Sequence, residues 1–161
     1  MTSGESVSAI LKRLHVASPS GFAIGLHITY TTPRYMFQSY PREWLDAYSR
    51  QGLLMRDPTV NWGFANRGWV RWSALANDDP DGVMRMAAEH GINFGVVIST
   101  LRGGSRTIAS FARPEREFTD DEIAAIEEDL GRLHDATLKA PFLSPSLHEM
   151  LRQMSIYLTH G

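Results

Sequence analysis

Between Tyr40 and Val60 the chain gathers Tyr40, Trp44, Tyr48, Asp57, Thr59 and Val60 in one short block. Tyrosine and tryptophan supply flat apolar walls, each carrying one hydrogen-bonding group, and aspartate supplies a strong acceptor. Such a set suits a small amphiphile, whose pocket needs mostly apolar lining and a few polar groups aimed inward. Trp44 and Tyr48 stand four apart, so a helix puts them on one face with Tyr40 just before it. The same residues also have a plain structural use. Aromatics fill cores, and an aspartate before Pro58 caps a helix whose first residue is proline. That explanation suffices for any single residue. It is weaker for the set, because several buried Tyr O–H and Trp N–H groups each need a partner.

Catalysis finds little support. The histidines (His15, His27, His90, His134, His148 and His160) are scattered, without the spacing of metal ligands. Cysteine is absent, which excludes disulfides, thiolate zinc sites and a cysteine nucleophile. No Gly-x-Ser-x-Gly elbow occurs. Gly103-Gly104 falls between two strand-like runs and reads as a hairpin rather than a phosphate loop. Glu115, Glu117, Asp120, Asp121 and Glu122 surround a helix start, where the dipole favours negative charge. The expectation is a binding protein, not an enzyme, with no cofactor and no metal.

A length of 161 residues suits one domain. Hydrophobic residues at 43% and charged residues at 21% are ordinary for a folded globular protein and argue against disorder. A formal charge of −2 gives these residues no electrostatic footprint for nucleic acid. No apolar run is long enough to span a bilayer, and the polar start from Met1 to Ala9 lacks the order of a signal peptide. A soluble, cytoplasmic protein without membrane contact is expected.

The elements that must position the block follow from periodicity and breakers. Ser6 to Val16 reads as a helix, with Ser3 or Ser6 as its cap. Phe22 to Tyr30 and Tyr35 to Ser39 read as strands around a Thr31-Thr32-Pro33 turn. Pro41 opens a helix through Tyr48 that stops at Gly52. Asp57-Pro58 opens another to about Asn66. Gly68 to Leu75 reads as a tryptophan-bearing connector, and Asp79-Pro80 as the start of a helix reaching His90. Asn93 to Leu101 and Arg106 to Arg113 form a hairpin. Thr119 and Glu122 make a capping box for a long helix with Ile123, Ile126, Leu130, Leu133 and Leu138 as its apolar stripe. Pro141 closes it, and Ser144 to Leu158 reads as a helix outside the main body. Short connections imply antiparallel strands, which gives an α+β fold: an α/β/α sandwich with a central antiparallel sheet flanked by helices.

With Trp72 added, the series Tyr40, Trp44, Tyr48, Asp57-Pro58-Thr59-Val60 resembles the autoinducer-binding domain of LuxR-type quorum-sensing transcription regulators, a GAF/PAS-like fold. The resemblance covers nearly the whole chain to Lys139. It implies an N-acyl-homoserine lactone as ligand. Trp44 would donate to the lactone carbonyl, Asp57 would accept from the amide N–H, and Tyr40 would reach the acyl carbonyl, assisted by Ser110. Tyr48 would wall the acyl chain, Trp72 would pack on the lactone ring, and Thr59 would be a small polar neighbour of the amide, with Val60 beside it. It further implies a homodimer and DNA binding through a C-terminal helix-turn-helix domain. On this reading residues 1–140 form the sensing domain. Residues 141–161, with Leu143-Ser144-Pro145 and Glu149, form a linker and the start of that second domain, in a chain cut short of its recognition helix. The alternative is a signal-independent half-regulator that forms mixed dimers with a full-length one. One departure stands out. Where the family has Gly-x-x-x-Pro, this chain has Gly95 and then Ser99, which adds a donor near that strand and bears on ligand preference.

Overall fold

A computed structural model describes the backbone of residues 4–160 and the side chains of 7–141 and 144–153. Its centre is a five-stranded antiparallel sheet in the order β2-β1-β5-β4-β3, built from β1 (Gly21–Thr29), β2 (Thr32–Gln38), β3 (Gly68–Arg71), β4 (Phe94–Arg102) and β5 (Ser105–Arg113). The helices are α1 (Gly4–Ala17), α2 (Arg42–Arg50), α3 (Pro58–Ala65), α4 (Val83–Ala88), α5 (Asp120–Leu138), α6 (Ala140–Leu143) and α7 (Pro145–His160). The α/β/α sandwich is as the sequence predicts. The expected capping of α1 by Ser3 or Ser6 lies outside the described residues.

Side chains alternate across a strand, so each strand contributes to two layers. Phe22, Ile24, Tyr35, Phe37, Val96, Ile98, Ala109 and Phe111 face one way and form the main core with Leu14 of α1 and Ile123, Ile126, Leu130 and Leu133 of α5. The intervening residues, among them Ala23, Gly25, Met36, Val97, Ile108 and Ser110, face the layer that holds α2, α3 and α4. Between Gly25 and Ile28 the β1–β5 register shifts, and His27 takes a positive φ of 56°. This bulge keeps two successive residues, Leu26 and His27, on the α5 side and turns Ile28 to the opposite layer.

Local signals place most elements well. Asp57 caps α3 with Pro58 next to it, Gly52 follows α2 with φ 60°, and Thr119 and Glu122 form the capping box of α5. Four expectations need correction. Gly68–Leu75 is not a connector: Gly68–Arg71 pairs with β4 as an edge strand, and a 3-10 helix follows from Trp72 to Asp78. The helix expected from Asp79 to His90 shortens to Val83–Ala88, because Asp79 caps it from a distance. Its carboxylate accepts the Val83 and Met84 N–H groups across a turn closed by left-handed Gly82, φ 68°. Pro41 stands one residue before the helical run, at its N-cap. The last helix is not outside the main body: Leu147 and Leu151 of α7 join the main core, and the Tyr35 hydroxyl meets His148 Nδ1 at 2.5 Å.

Candidate ligand-binding site

The layer between the sheet and α2, α3 and α4 is not filled. A cavity of about 640 Å³ lies there, within the range that holds drug-sized molecules. All eight side chains singled out from the sequence line it: Tyr40, Trp44, Tyr48, Asp57, Thr59, Val60, Trp72 and Ser110. The floor is low where β1 presents Ala23 and Gly25.

Asp57 both caps α3 and lines the cavity. Oδ1 accepts from the Thr59 backbone N–H at 2.9 Å and the Thr59 hydroxyl at 2.7 Å. Oδ2 accepts from the Tyr48 hydroxyl at 2.9 Å. The Val60 backbone N–H is turned toward the same carboxylate, and Oδ2 carries the contact with Tyr48 on the cavity side. Burial pushes the Asp57 carboxyl above its usual range, against the Thr59 and Tyr48 hydrogen bonds. Burial also raises the Tyr48 hydroxyl, helped by the Asp57 charge, so it stays a donor. Tyr48 thus orients Asp57 as well as lining the cavity.

One donor nearby is unspent. The Tyr40 hydroxyl is buried with no hydrogen-bond partner. Burial drives its ionisation far upward, against a smaller opposing influence of Ser110. The Trp44 indole lines the same cavity. Its ring is held by Tyr48, at a centroid distance of 5.7 Å, and by His90 at 5.4 Å. A buried carboxylate, the unpartnered Tyr40 hydroxyl and the Trp44 indole therefore share one cavity.

The remaining polar pair is internally satisfied: Trp72 Nε1 donates to Ser110 Oγ at 3.0 Å. The Trp72 ring lies directly on Gly95, where an added Cβ would fall 2.3 Å from a ring carbon. Glycine is therefore required at Gly95 to seat Trp72. Ser99, the departure noted above, sends its donor away from the cavity, to the Gly63 carbonyl at 2.7 Å. Arg106 Nη1 joins it, reaching the carbonyls of Gly63 at 2.8 Å and Asn66 at 2.9 Å. A cation from β5 thus satisfies the C-terminal carbonyls of α3, whose N-terminus carries Asp57. Sequence reasoning missed Arg106 and the apolar end of the cavity, Ile28, Met36, Leu54, Met55, Phe64 and Ile108. The alternation of β1 and β5 was the signal that could have found Ile108.

Neither a cluster of potential metal ligands nor a helix long and apolar enough to cross a membrane occurs among the described residues. Fold and cavity together define a ligand-binding sensory domain. Residues 21–138 match the family described as "Autoinducer binding domain", and the chain belongs to it. That family serves LuxR-type quorum-sensing transcription regulators and is not an enzyme class. The transcriptional activator protein SolR of Ralstonia nicotianae is 32% identical over 116 residues, covering 70% of this chain and 49% of SolR. SolR of Ralstonia solanacearum matches over the same extent. The chain spans about half the length of these curated relatives. Among solved structures, SdiA in complex with octanoyl-rac-glycerol superposes with TM-score 0.64 at 19% identity, covering 88% of this chain and 61% of that one. The N-acylhomoserine lactone dependent LuxR family factor CepR2 from Burkholderia cenocepacia superposes with TM-score 0.62 at 20% identity, covering 87% of this chain and 84% of that one. At these identities the superpositions speak for the fold.

Proposed function

We propose that this domain binds an N-acyl-homoserine lactone and, within a homodimeric cytoplasmic regulator, passes its occupancy to a C-terminal helix-turn-helix domain that binds DNA. In this reading residues 1–140 sense and residues 141–161 begin the connection. The observation that carries it is the set of polar groups gathered in one cavity: Asp57 as a buried acceptor, Tyr40 as an unpartnered donor, and the Trp44 indole beside them. A lactone amide presents one N–H donor, and its two carbonyls present acceptors. Asp57 takes the N–H, Trp44 donates to the lactone carbonyl and Tyr40 to the acyl carbonyl. Trp72, fixed by Gly95 and Ser110, walls the ring. Thr59 and Tyr48 hold Asp57 in place, Val60 lines the same wall, and the acyl chain follows the apolar floor. The domain transforms nothing; binding stabilises the fold by mass action, about 2.7 kcal/mol at a ligand concentration a hundredfold above Kd.

Thermal unfolding with and without a panel of these lactones tests the reading, with octanoylglycerol as the non-lactone comparison. A lactone-dependent rise in Tm supports it. No rise with any lactone, or an equal rise with octanoylglycerol, would sink it. Product analysis after incubation with a lactone should find the ring intact.

A further inference from the structure

The cavity has two unlike ends, and the strand register sets their order. Ala23, Ser110 and Gln38 form one row across the floor, Gly25, Ile108 and Met36 the next, and Ile28 pairs with Pro33 and Arg106 in the last. From Ser110 to Arg106 is four residues of β5, or roughly 14 Å of strand. On the sheet floor Gln38 and Ser110 make the first row polar, the second is apolar, and Thr31 lies beyond Pro33 at the far end. Arg106 holds the C-terminus of α3 at that far end, which places Phe64 there.

Phe64, Leu54 and Met55 all line the cavity, yet are 38%, 43% and 66% exposed. Scattered exposed apolar residues need no explanation, but three that line one cavity do. Each of the three belongs at once to the cavity lining and to the exposed surface, so whatever occupies the cavity can run out along them. Met36, Met55 and Met84 all line the cavity. Their unbranched thioether side chains adjust to differing shapes where branched ones would fix a single length.

We infer that the site selects long-chain signals and has no closed end: the distal carbons of an acyl chain leave the enclosed part and rest on Leu54, Met55 and Phe64. This rests on the lactone reading above. Each methylene removed from water on these side chains should raise affinity about twofold to fourfold, the upper figure being full burial.

The test is calorimetric titration of the whole chain with butanoyl, hexanoyl, octanoyl, decanoyl and dodecanoyl homoserine lactones. The parent, Met55→Ser, and the double variant Met55→Ser with Phe64→Ser are compared. Affinity of the parent should climb through dodecanoyl, and the loss in the double variant should grow with chain length, about tenfold for dodecanoyl and about twofold for hexanoyl. A sharp optimum at hexanoyl followed by a fall, or an equal loss at every length, overturns the open-ended site. So does a ligand-independent change of oligomeric state in the variants, since these side chains would then form a protein contact. If no lactone binds at all, the lactone reading itself falls and takes this inference with it.

Discussion

Replacing Asp57 with asparagine separates the two roles that this residue combines. As a cap, asparagine is as good as aspartate. Its oxygen can keep both bonds from Thr59, now at 2.9 and 2.7 Å, and the Tyr48 hydroxyl can turn from donor to acceptor for the new amide. Relief from burying a charge, the main cause of the raised Asp57 carboxyl, offsets the weaker bonds. The ligand-free Asp57→Asn protein should therefore unfold in urea within about 1 kcal/mol of the parent. Ligand binding should respond differently. A charge-assisted bond from the ligand N–H, worth about 1.5–3 kcal/mol, becomes a contact between two donors, which weakens affinity roughly tenfold to 150-fold. Thr59→Ala removes one hydroxyl donor to Asp57 and leaves the carboxylate, so its effect on affinity should stay near tenfold or below. Calorimetric titration of the three proteins, alongside urea unfolding without ligand, reads both quantities. Equal affinity losses for the two variants, or an Asp57→Asn protein that loses about 3 kcal/mol of stability while binding normally, would refute the assigned role. The pH dependence has a definite sign. Because the folded carboxyl lies above its ordinary 3.8, its contribution to ligand-free stability is present below that value. It fades as pH rises through the folded value. A lactone needs the ionised form, so its affinity falls as pH drops through the same range.

The orphaned Tyr40 hydroxyl gives a second crossed outcome: Tyr40→Phe should stabilise the ligand-free domain by about 1 kcal/mol and weaken lactone binding severalfold. Both are read by urea unfolding and titration. Gly95→Ala should push Trp72 from its seat and break its bond to Ser110, costing about 1–3 kcal/mol; urea unfolding and the shift in tryptophan emission check it. Acid stability should follow the buried pair His27 and His134, whose rings stand 4.5 Å apart. Burial lowers His27 from 6.5 to about 3, with the neighbouring His134 and Arg34 adding to it, and burial lowers His134 too. Depressed imidazoles leave the unfolded chain binding more protons below 6.5. The stability they confer is thus complete above that pH and is lost on descending toward 3. Urea unfolding across this window in the parent and in His27→Gln should give a shallower decline for the variant.

Features encoded over a few neighbouring residues were legible in the sequence itself. Asp57-Pro58, the Thr119–Glu122 box and Gly103-Gly104 each fix local backbone through hydrogen bonds or φ within their own few residues. Short connections between the strand-like runs pointed to the antiparallel sheet, and the spacing of Trp44 and Tyr48 placed both rings together. What tertiary structure decided depends on partners far along the chain. Gly68–Arg71 is too short to show a period and becomes a strand only because β4 offers an edge. Leu147 and Leu151 read as a helix of their own until Tyr35 and the core beneath α7 receive them. That Tyr48 orients Asp57, that Trp72 is seated on Gly95, and that Arg106 anchors α3 are contacts between different elements. Sequence spacing determines which face of an element a residue occupies; only the packing of elements against one another decides which groups meet there, and which are left free for a ligand.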